Sequence, residues 1–437
     1  MSDLITCTLE DICLKEKGSI ISGPFGSNIS SKYFVSSGIP VIRGNNLTTD
    51  HIKFIDDGFV YVTEEKANEL HCDAYADDLI FTAAGTIGQV GIIPKNTKYN
   101  RYVISNKQIR VRLDTELVDL DYAYCWFVSP WIQTALKNNN KGSTVPLLTL
   151  AEVRSLPITY PKDKGEQKAI AKVFNDLDAK IDNNVAICSD LEAIAKLLYN
   201  YWFVQFDFPD ENGKPYKSSG GKMVWNEELK REIPDGWEVK PLSKVLCLLK
   251  DGTHNPPKRM DSGIPLLTGT MFGDYFLDYS QATYITEDNY STIHKQYKPE
   301  AGDIVITKIG TLGNVNYLRD KDIPIAIHCN SALLRFPDDY CGMFAFQYCK
   351  SKEFFARLKA AKGQSVQEFC SLDSIGSILM LVPDHKLTAR YNDNMKSVLN
   401  QMINTQSENQ ELASLRDFLL PMLMNGQVKV KKEDDNE

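Results

Sequence analysis

Ser37-Gly38-Ile39-Pro40-Val41-Ile42-Arg43-Gly44 returns, displaced by 225 residues, as Ser262-Gly263-Ile264-Pro265-Leu266-Leu267-Thr268-Gly269. A second anchor, residues 78–88 (DLIFTAAGTIG), returns with the same shift as residues 303–313 (DIVITKIGTLG). Two anchors with one displacement leave no net insertion between them. The period far exceeds the ~20–50 residues of a solenoid repeat, so it marks a duplicated domain. Two similar modules on one chain suit the reading of two related things.

Working outward from the anchors, each copy has two parts. The first is strand-rich: residues 41–42, 79–81, 88–93 and 108–113 are short apolar or alternating runs bounded by Gly, Pro and Asn, the pattern of strands and turns. Residues 120–136 carry a helical pattern, and the mixed part ends near Pro161 in one copy and Pro383 in the other. The second part is a long helix. Ile170, Phe174, Leu177, Ile181, Cys188, Leu191, Ala195 and Leu198 fall on alternating three- and four-residue steps, a heptad seam. The later copy runs Tyr391, Met395, Val398, Met402, Leu412 and Leu419, weakened by Thr405 and Arg416. Asn184 and Asn409 lie on the two seams, also 225 residues apart, where a buried Asn fixes helix–helix register. Residues 166–203 span ~57 Å as a helix. Each stripe lies outside its mixed domain and exceeds an average helix of ~11–12 residues. The two are therefore predicted to bury against one another as an antiparallel coiled coil.

The expected organisation is α+β: a mixed domain over 1–161, a long helix over 162–205, a polar connector over 206–239, a second mixed domain over 240–384, a second long helix over 385–428 and a frayed tail over 429–437. The two mixed α/β domains are separated by the two-helix coiled coil, with pseudo-two-fold internal symmetry.

Composition narrows the function. The 437 residues hold ten cysteines with no CxxC pair, and the six histidines share no pattern, which argues against a zinc site. Scattered thiols without a secretory signal read as reduced and cytoplasmic, and no apolar run approaches the ~20 residues that span a bilayer. A net charge of −8 argues mildly against nucleic acid, but charge is uneven along the chain. Residues 79–113 contain no Asp or Glu and six basic residues: Lys95, Lys98, Arg101, Lys107, Arg110 and Arg112. That is the signature of a phosphate-tracking stripe, with a solvated surface as the plain alternative. In the second copy Lys308, Arg319, Lys321 and Arg335 are interrupted by Asp320 and Asp322.

Catalytic constellations are missing: the sequence has no GxxxxGK[ST], no HExxH and no GxSxG. The repeated GT[IL]G is followed by strand-like residues, so it reads as a tight turn between strands. A phosphate loop would open a helix. Asn255-Pro256-Pro257-Lys258 resembles the Asn-Pro-Pro-aromatic tetrad of amino-methyltransferases but has Lys258 in the aromatic position, and reads as a proline-rich turn.

With these features assembled, the whole chain resembles the specificity subunit of type I restriction–modification enzymes. The resemblance is carried by residues 165–203 (GEQKAIAKVFNDLDAKI…LEAIAKLLYNYWF), residues 212–239 (NGKPYKSSGGKMVWNEELKREIPDGWEV) and the closing Leu415-Arg416-Asp417-Phe418-Leu419-Leu420-Pro421. Ser22-Gly23-Pro24-Phe25-Gly26-Ser27 and Asp251-Gly252-Thr253-His254 look like that family's variable recognition modules. The resemblance implies two target-recognition domains, each reading one half of a split sequence in double-stranded DNA. It implies long helices that act as a ruler and dock two modification (methyltransferase) subunits, with restriction/translocase subunits joining through the complex. It implies no catalytic residue, metal or cofactor on this chain, since S-adenosylmethionine, ATP and Mg2+ are used by the partner subunits. No membrane is involved.

Within that frame Lys95, Lys98, Arg101, Lys107 and Arg110 are the expected phosphate contacts. Arg43, Asn45 and Asn46 follow the SGIP strand and suit base edges, because Arg pairs with guanine and Asn with adenine. In the second copy the candidates are Thr268, Thr270, Lys308, Thr311, Asn330 and Lys362. The rival readings are a two-headed scaffold for proteins or glycans and a self-contained DNA methyltransferase or nuclease. Salt-sensitive duplex binding separates the first from a DNA reader, and S-adenosylmethionine binding by the isolated chain identifies the second.

Overall fold

The computed structural model describes residues 3–49, 51–138, 147–361 and 369–430. Two compact units emerge: Met1–Asn184 with Ser407–Glu437, and Val185–Gln406.

In the first unit one four-stranded antiparallel sheet runs in the order Ile20–Ser22, Gln108–Val111, Leu79–Thr82, Val90–Ile92. A second runs Val60–Val62, Ile39–Ile42, Tyr102–Ile104, Asp73–Ala74. Here Ile39–Ile42 and Tyr102–Ile104 are parallel, with Val41 opposite Val103, so a long crossover must join them. Leu4–Thr8 pairs antiparallel with Pro157–Pro161, closing the ends of the mixed region on each other. The Leu79–Thr82 strand is buried on both faces: Leu79 and Phe81 join one apolar cluster and Ile80 joins another with Val41 and Val62. Its unbroken apolar run follows from that double cover.

The second unit repeats this plan. Leu248–Asp251, Ser331–Arg335, Ile304–Thr307 and Val315–Tyr317 form the antiparallel sheet. Thr283–Ile285, Ile264–Leu267 and Ala326–Ile327 form the other, again with one parallel pair, Leu266 opposite Ala326. Glu238–Pro241 closes on Leu379–Val382. Both SGIP segments thus enter the strand that carries the parallel pairing, and both GT[IL]G segments join antiparallel neighbours. Gly85 and Gly88 of the first such turn take φ of 95° and 104°, a region glycine enters without steric cost.

The long helices are Lys164–Tyr199 and His385–Met424. The first continues into a π-helical turn, Asn200–Val204. In the first unit the two run antiparallel: Arg416 Nη1 lies 2.8 Å from Asp178 Oδ1, and Asn184 meets Glu408 and Asn409. Asn184, 1% exposed, donates through Nδ2 to Asn409 Oδ1 at 2.8 Å, and Asn409 Nδ2 donates to the Ile181 carbonyl. In the second unit the Tyr391 hydroxyl donates to the Ala195 carbonyl at 2.9 Å, and Met395, Val398 and Met402 join Ala195, Leu191 and Leu198 in one cluster.

Two local readings need correction. The single helix expected over 120–136 is two helices, Leu120–Phe127 and Pro130–Asn138, because the residue before a proline is driven out of the helical region. The connector is more than a linker. Met223–Asn226 and Arg231–Pro234 form a hairpin, and Phe208 stacks on Trp237 at 5.3 Å and on Tyr216 at 4.7 Å. Among the described residues no helix is long and apolar enough to cross a membrane.

Candidate nucleic-acid interface

Four turns of the first unit converge at one end of its sheets. Residues 22–28 follow the first strand of the antiparallel sheet, residues 43–47 follow the SGIP strand, and residues 83–89 and 105–108 are strand-to-strand turns. Backbone bonds tie them together: Gly23 N–H donates to the Gln108 carbonyl at 2.8 Å, Ala83 N–H to Lys107 at 2.7 Å and Ser105 N–H to Ile42 at 2.9 Å. Gln89 Nε2 donates to the Gly44 and Leu47 carbonyls. Gly23 is there because nothing larger fits: a Cβ on it would lie 1.8 Å from the Ser105 carbonyl oxygen. All four turns come from two acid-free stretches, residues 17–49 and 79–113. The fold thus gathers segments that contribute cations and no carboxylates.

The second unit builds the same end. Thr253 N–H donates to the Ile327 carbonyl at 3.0 Å, His328 N–H to Leu267 at 3.3 Å and Lys308 N–H to Asn330 at 2.8 Å. A Cβ on Gly252 would lie 1.6 Å from the Ile327 oxygen. Its loop, residues 252–260, is acid-free and carries exposed His254, Lys258 and Arg259.

The candidate side chains divide sharply on inspection. Lys107 and Asn45 are exposed at the convergent end and Arg43 is half-buried there; Arg43 and Asn45 both donate to the Gly58 carbonyl. Asn46 is buried, donating to the Ile55 and Asp57 carbonyls and accepting from Arg43 N–H. Arg110 is buried beside Asp78 and bonds the Gly18 carbonyl; burial lowers its pKa. Lys95 and Arg101 stand at the opposite strand ends, paired with Asp77 and Asp73, and Lys98 faces Asp57 at 3.6 Å. The expected basic stripe is therefore not one patch. Asn46 and Arg110 hold the fold, and Lys107 is the member of the stripe that reaches the gathered turns.

In the second unit Thr268 and exposed Thr270 share a hydroxyl–hydroxyl bond of 3.0 Å, and Asn330 is half-buried. Thr311 is exposed, and its carbonyl accepts from the Thr307 hydroxyl. Lys308 is buried, its Nζ 3.1 Å from Asp251 and over the Phe369 ring, so it anchors the loop rather than meeting a phosphate. Lys362 lies outside the described residues.

Further side chains stand at both ends: Phe25 and Asn106 in one unit, His254, Arg259 and His328 in the other. Acid-free sequence over residues 17–49 and 252–260 marks Phe25, His254 and Arg259 in the chain, as residues 79–113 mark Asn106. Burial lowers the His328 pKa, with Arg259 and His254 adding to the effect. Among the described residues no cluster of His, Cys, Asp or Glu is arranged to hold a metal ion.

His294 supports the second end from beneath. It is 1% exposed, and its Nε2 accepts the Ile327 N–H at 3.1 Å. Burial brings its pKa from 6.5 to about 4. The unfolded chain takes up this proton first, so the stability is present above pH ~6.5 and is lost as pH falls towards ~4, by about 3 kcal/mol in full. His294→Gln, which keeps an acceptor, is expected to flatten that part of the pH dependence. Urea midpoints of both proteins between pH 7 and 4.5 check it, and parallel curves would contradict it.

Residues 1–193 match the family described as the type I restriction modification DNA specificity domain. The chain is 24% identical over 432 residues to the type I restriction enzyme MjaIX specificity subunit of Methanocaldococcus jannaschii, covering 96% of this chain and 93% of that one. It is 23% identical over 433 residues to the HindI specificity subunit of Haemophilus influenzae, covering 82% and 91%. Among solved structures, the S subunit of the type I restriction-modification system from M. genitalium superposes with a TM-score of 0.53 at 17% identity, over 97% of this chain and 96% of that one. This likeness bears on the fold.

Proposed function

We propose that the chain is a type I restriction–modification specificity subunit and that each of its two units reads one half of a bipartite DNA target. The observation that carries the proposal is the doubled convergence of turns at the same strand ends, acid-free in the first unit and joined in the second by Asp251, which lies beside Lys308 and His254. In the first unit Arg43, Asn45, Asn106 and Lys107 face the duplex. In the second the reading set is Thr268, Thr270, Thr311 and Asn330, with His254, Arg259 and His328. The chemistry of the two sets differs, as two different half-sites require. The long helices dock two modification subunits and set the spacing, and Asn184 with Asn409 fixes their register. Restriction/translocase subunits join through that complex. S-adenosylmethionine, ATP and Mg2+ serve those partners, and this chain supplies no catalytic group. It works in the cytoplasm, where the DNA is.

The net charge of −8 is compatible with this role when partner subunits supply much of the phosphate contact. Isolated chain is expected to bind duplex weakly. With its modification partner it binds a cognate duplex tightly, and affinity falls about 1,000-fold or more between 50 and 200 mM salt, as six or more phosphate contacts require. Fluorescence anisotropy across a salt series measures this. Equal, non-selective affinity with and without the partner would sink the proposal.

A further inference from the structure

Phe25 is 84% exposed, more than any other large apolar side chain among the described residues. Water penalises such exposure by about 2 kcal/mol relative to burial, yet the backbone that presents it is clamped. Pro24 precedes it. Its carbonyl accepts Asn28 N–H at 2.8 Å and opens the one-turn helix Gly26–Asn28. Gly23 is wedged against Ser105, and a Cβ on Gly26 would lie 3.0 Å from Asn106 Nδ2. The ring stands at the lip of a groove of about 580 Å³ whose lining includes Ala83, Ile109 and Leu148. Exposed Lys107 lies in the turn that holds Gly23, and residues 22–28, 83–89 and 105–108 contain no carboxylate, while Glu152 is tied by two hydrogen bonds to Thr149 of the groove lining. A rigid apolar ring beside an exposed cation matches a ligand that offers flat apolar faces between phosphates.

Resting on the reading that the first unit binds duplex DNA, we propose that Phe25 is a wedge that enters between two base pairs of one half-site and unstacks them. Apolar side chains inserted at base steps open and kink DNA in this way. The corresponding loop of the second unit, residues 251–258, presents His254, Asn255 and two prolines but no aromatic ring beyond the histidine. The wedge therefore acts at one half-site only, and the two ends of the target are deformed unequally.

The test uses the full chain assembled with its modification partner, without S-adenosylmethionine, and cognate duplexes carrying 2-aminopurine at successive positions of both half-sites. Wild type is expected to raise fluorescence at one step within one half-site. Phe25→Ala abolishes that rise and weakens cognate binding about 5- to 100-fold, the span of one base–aromatic stacking contact. Phe25→Trp retains both. A full rise in Phe25→Ala overturns the wedge, whether or not affinity falls. Unchanged DNA binding with weakened assembly overturns it too, and assigns the ring to a protein partner. Failure of the wild-type complex to bind any duplex removes the underlying reading, and the wedge with it.

Discussion

Gly252→Val will abolish selective DNA binding through the second unit, and Gly23→Val will do so through the first. The geometry leaves no alternative at either position. A Cβ on Gly252 would sit 1.6 Å from the Ile327 carbonyl oxygen and 2.0 Å from its carbon, and a Cβ on Gly23 would sit 1.8 Å and 2.5 Å from the same atoms of Ser105. Both neighbours are backbone, so no side-chain rotation relieves the overlap, and the whole loop must lift. Base readout tolerates little displacement. The expected loss of preference for cognate over scrambled duplex is at least about 100-fold, or about 2.7 kcal/mol, comparable with one or two mismatched base pairs. Circular dichroism should stay near wild type, since the clash is confined to a loop. Retained selectivity in both variants would mean that these loops do not read DNA.

Arg112→Ala and Arg335→Ala will each loosen one unit and spare the other. Asp78 is 3% exposed and takes Arg112 Nε at 2.9 Å and the Tyr75 N–H at 2.8 Å. Burial raises its pKa and Arg112 opposes that rise. The second copy repeats the device with Asp303, 2% exposed, Arg335 Nε at 2.7 Å and the Glu300 N–H at 2.8 Å. Each arginine is partly exposed while its aspartate is buried, and Asp78 keeps Arg110 at 3.9 Å, so each loss is expected to fall below the about 3–5 kcal/mol of a fully stranded buried charge and to be smaller for Arg112→Ala. Amide exchange should therefore quicken in Leu79–Thr82 and Gln108–Val111 for Arg112→Ala, and in Ile304–Thr307 and Ser331–Arg335 for Arg335→Ala. Exchange unchanged in both would show the pairs to be dispensable.

The repeat was legible because strands and turns of both copies carry the same short motifs. Ile39–Ile42 and Ile264–Leu267 form as the SGIP anchors indicate, and the Asn184–Asn409 contact was visible as a matched interruption of two apolar seams. The site was legible in part. Gln108–Val111 alternates in polarity, which suggests one wet face, yet all four residues are buried because the sheet is covered on both sides. Arg110 and Lys308 were therefore read as surface cations when each lies beside a carboxylate from a distant segment. Sequence shows a charge but not the partner that the fold folds against it. The turn that holds Phe25 was legible as a module of the resemblance, but an apolar residue in a Gly-Pro-rich turn gives no sign that it will be left in water.

The two-headed reading is tested most directly by single-molecule methylation profiling of host DNA, comparing wild type with a chain whose residues 22–28 are replaced. The predicted wild-type result is one split motif, two short half-sites around a fixed non-specific spacer. Replacement should change or erase one half-site and leave the other half and the spacer as they were. A continuous motif, or the loss of both halves together with the spacer, would contradict it.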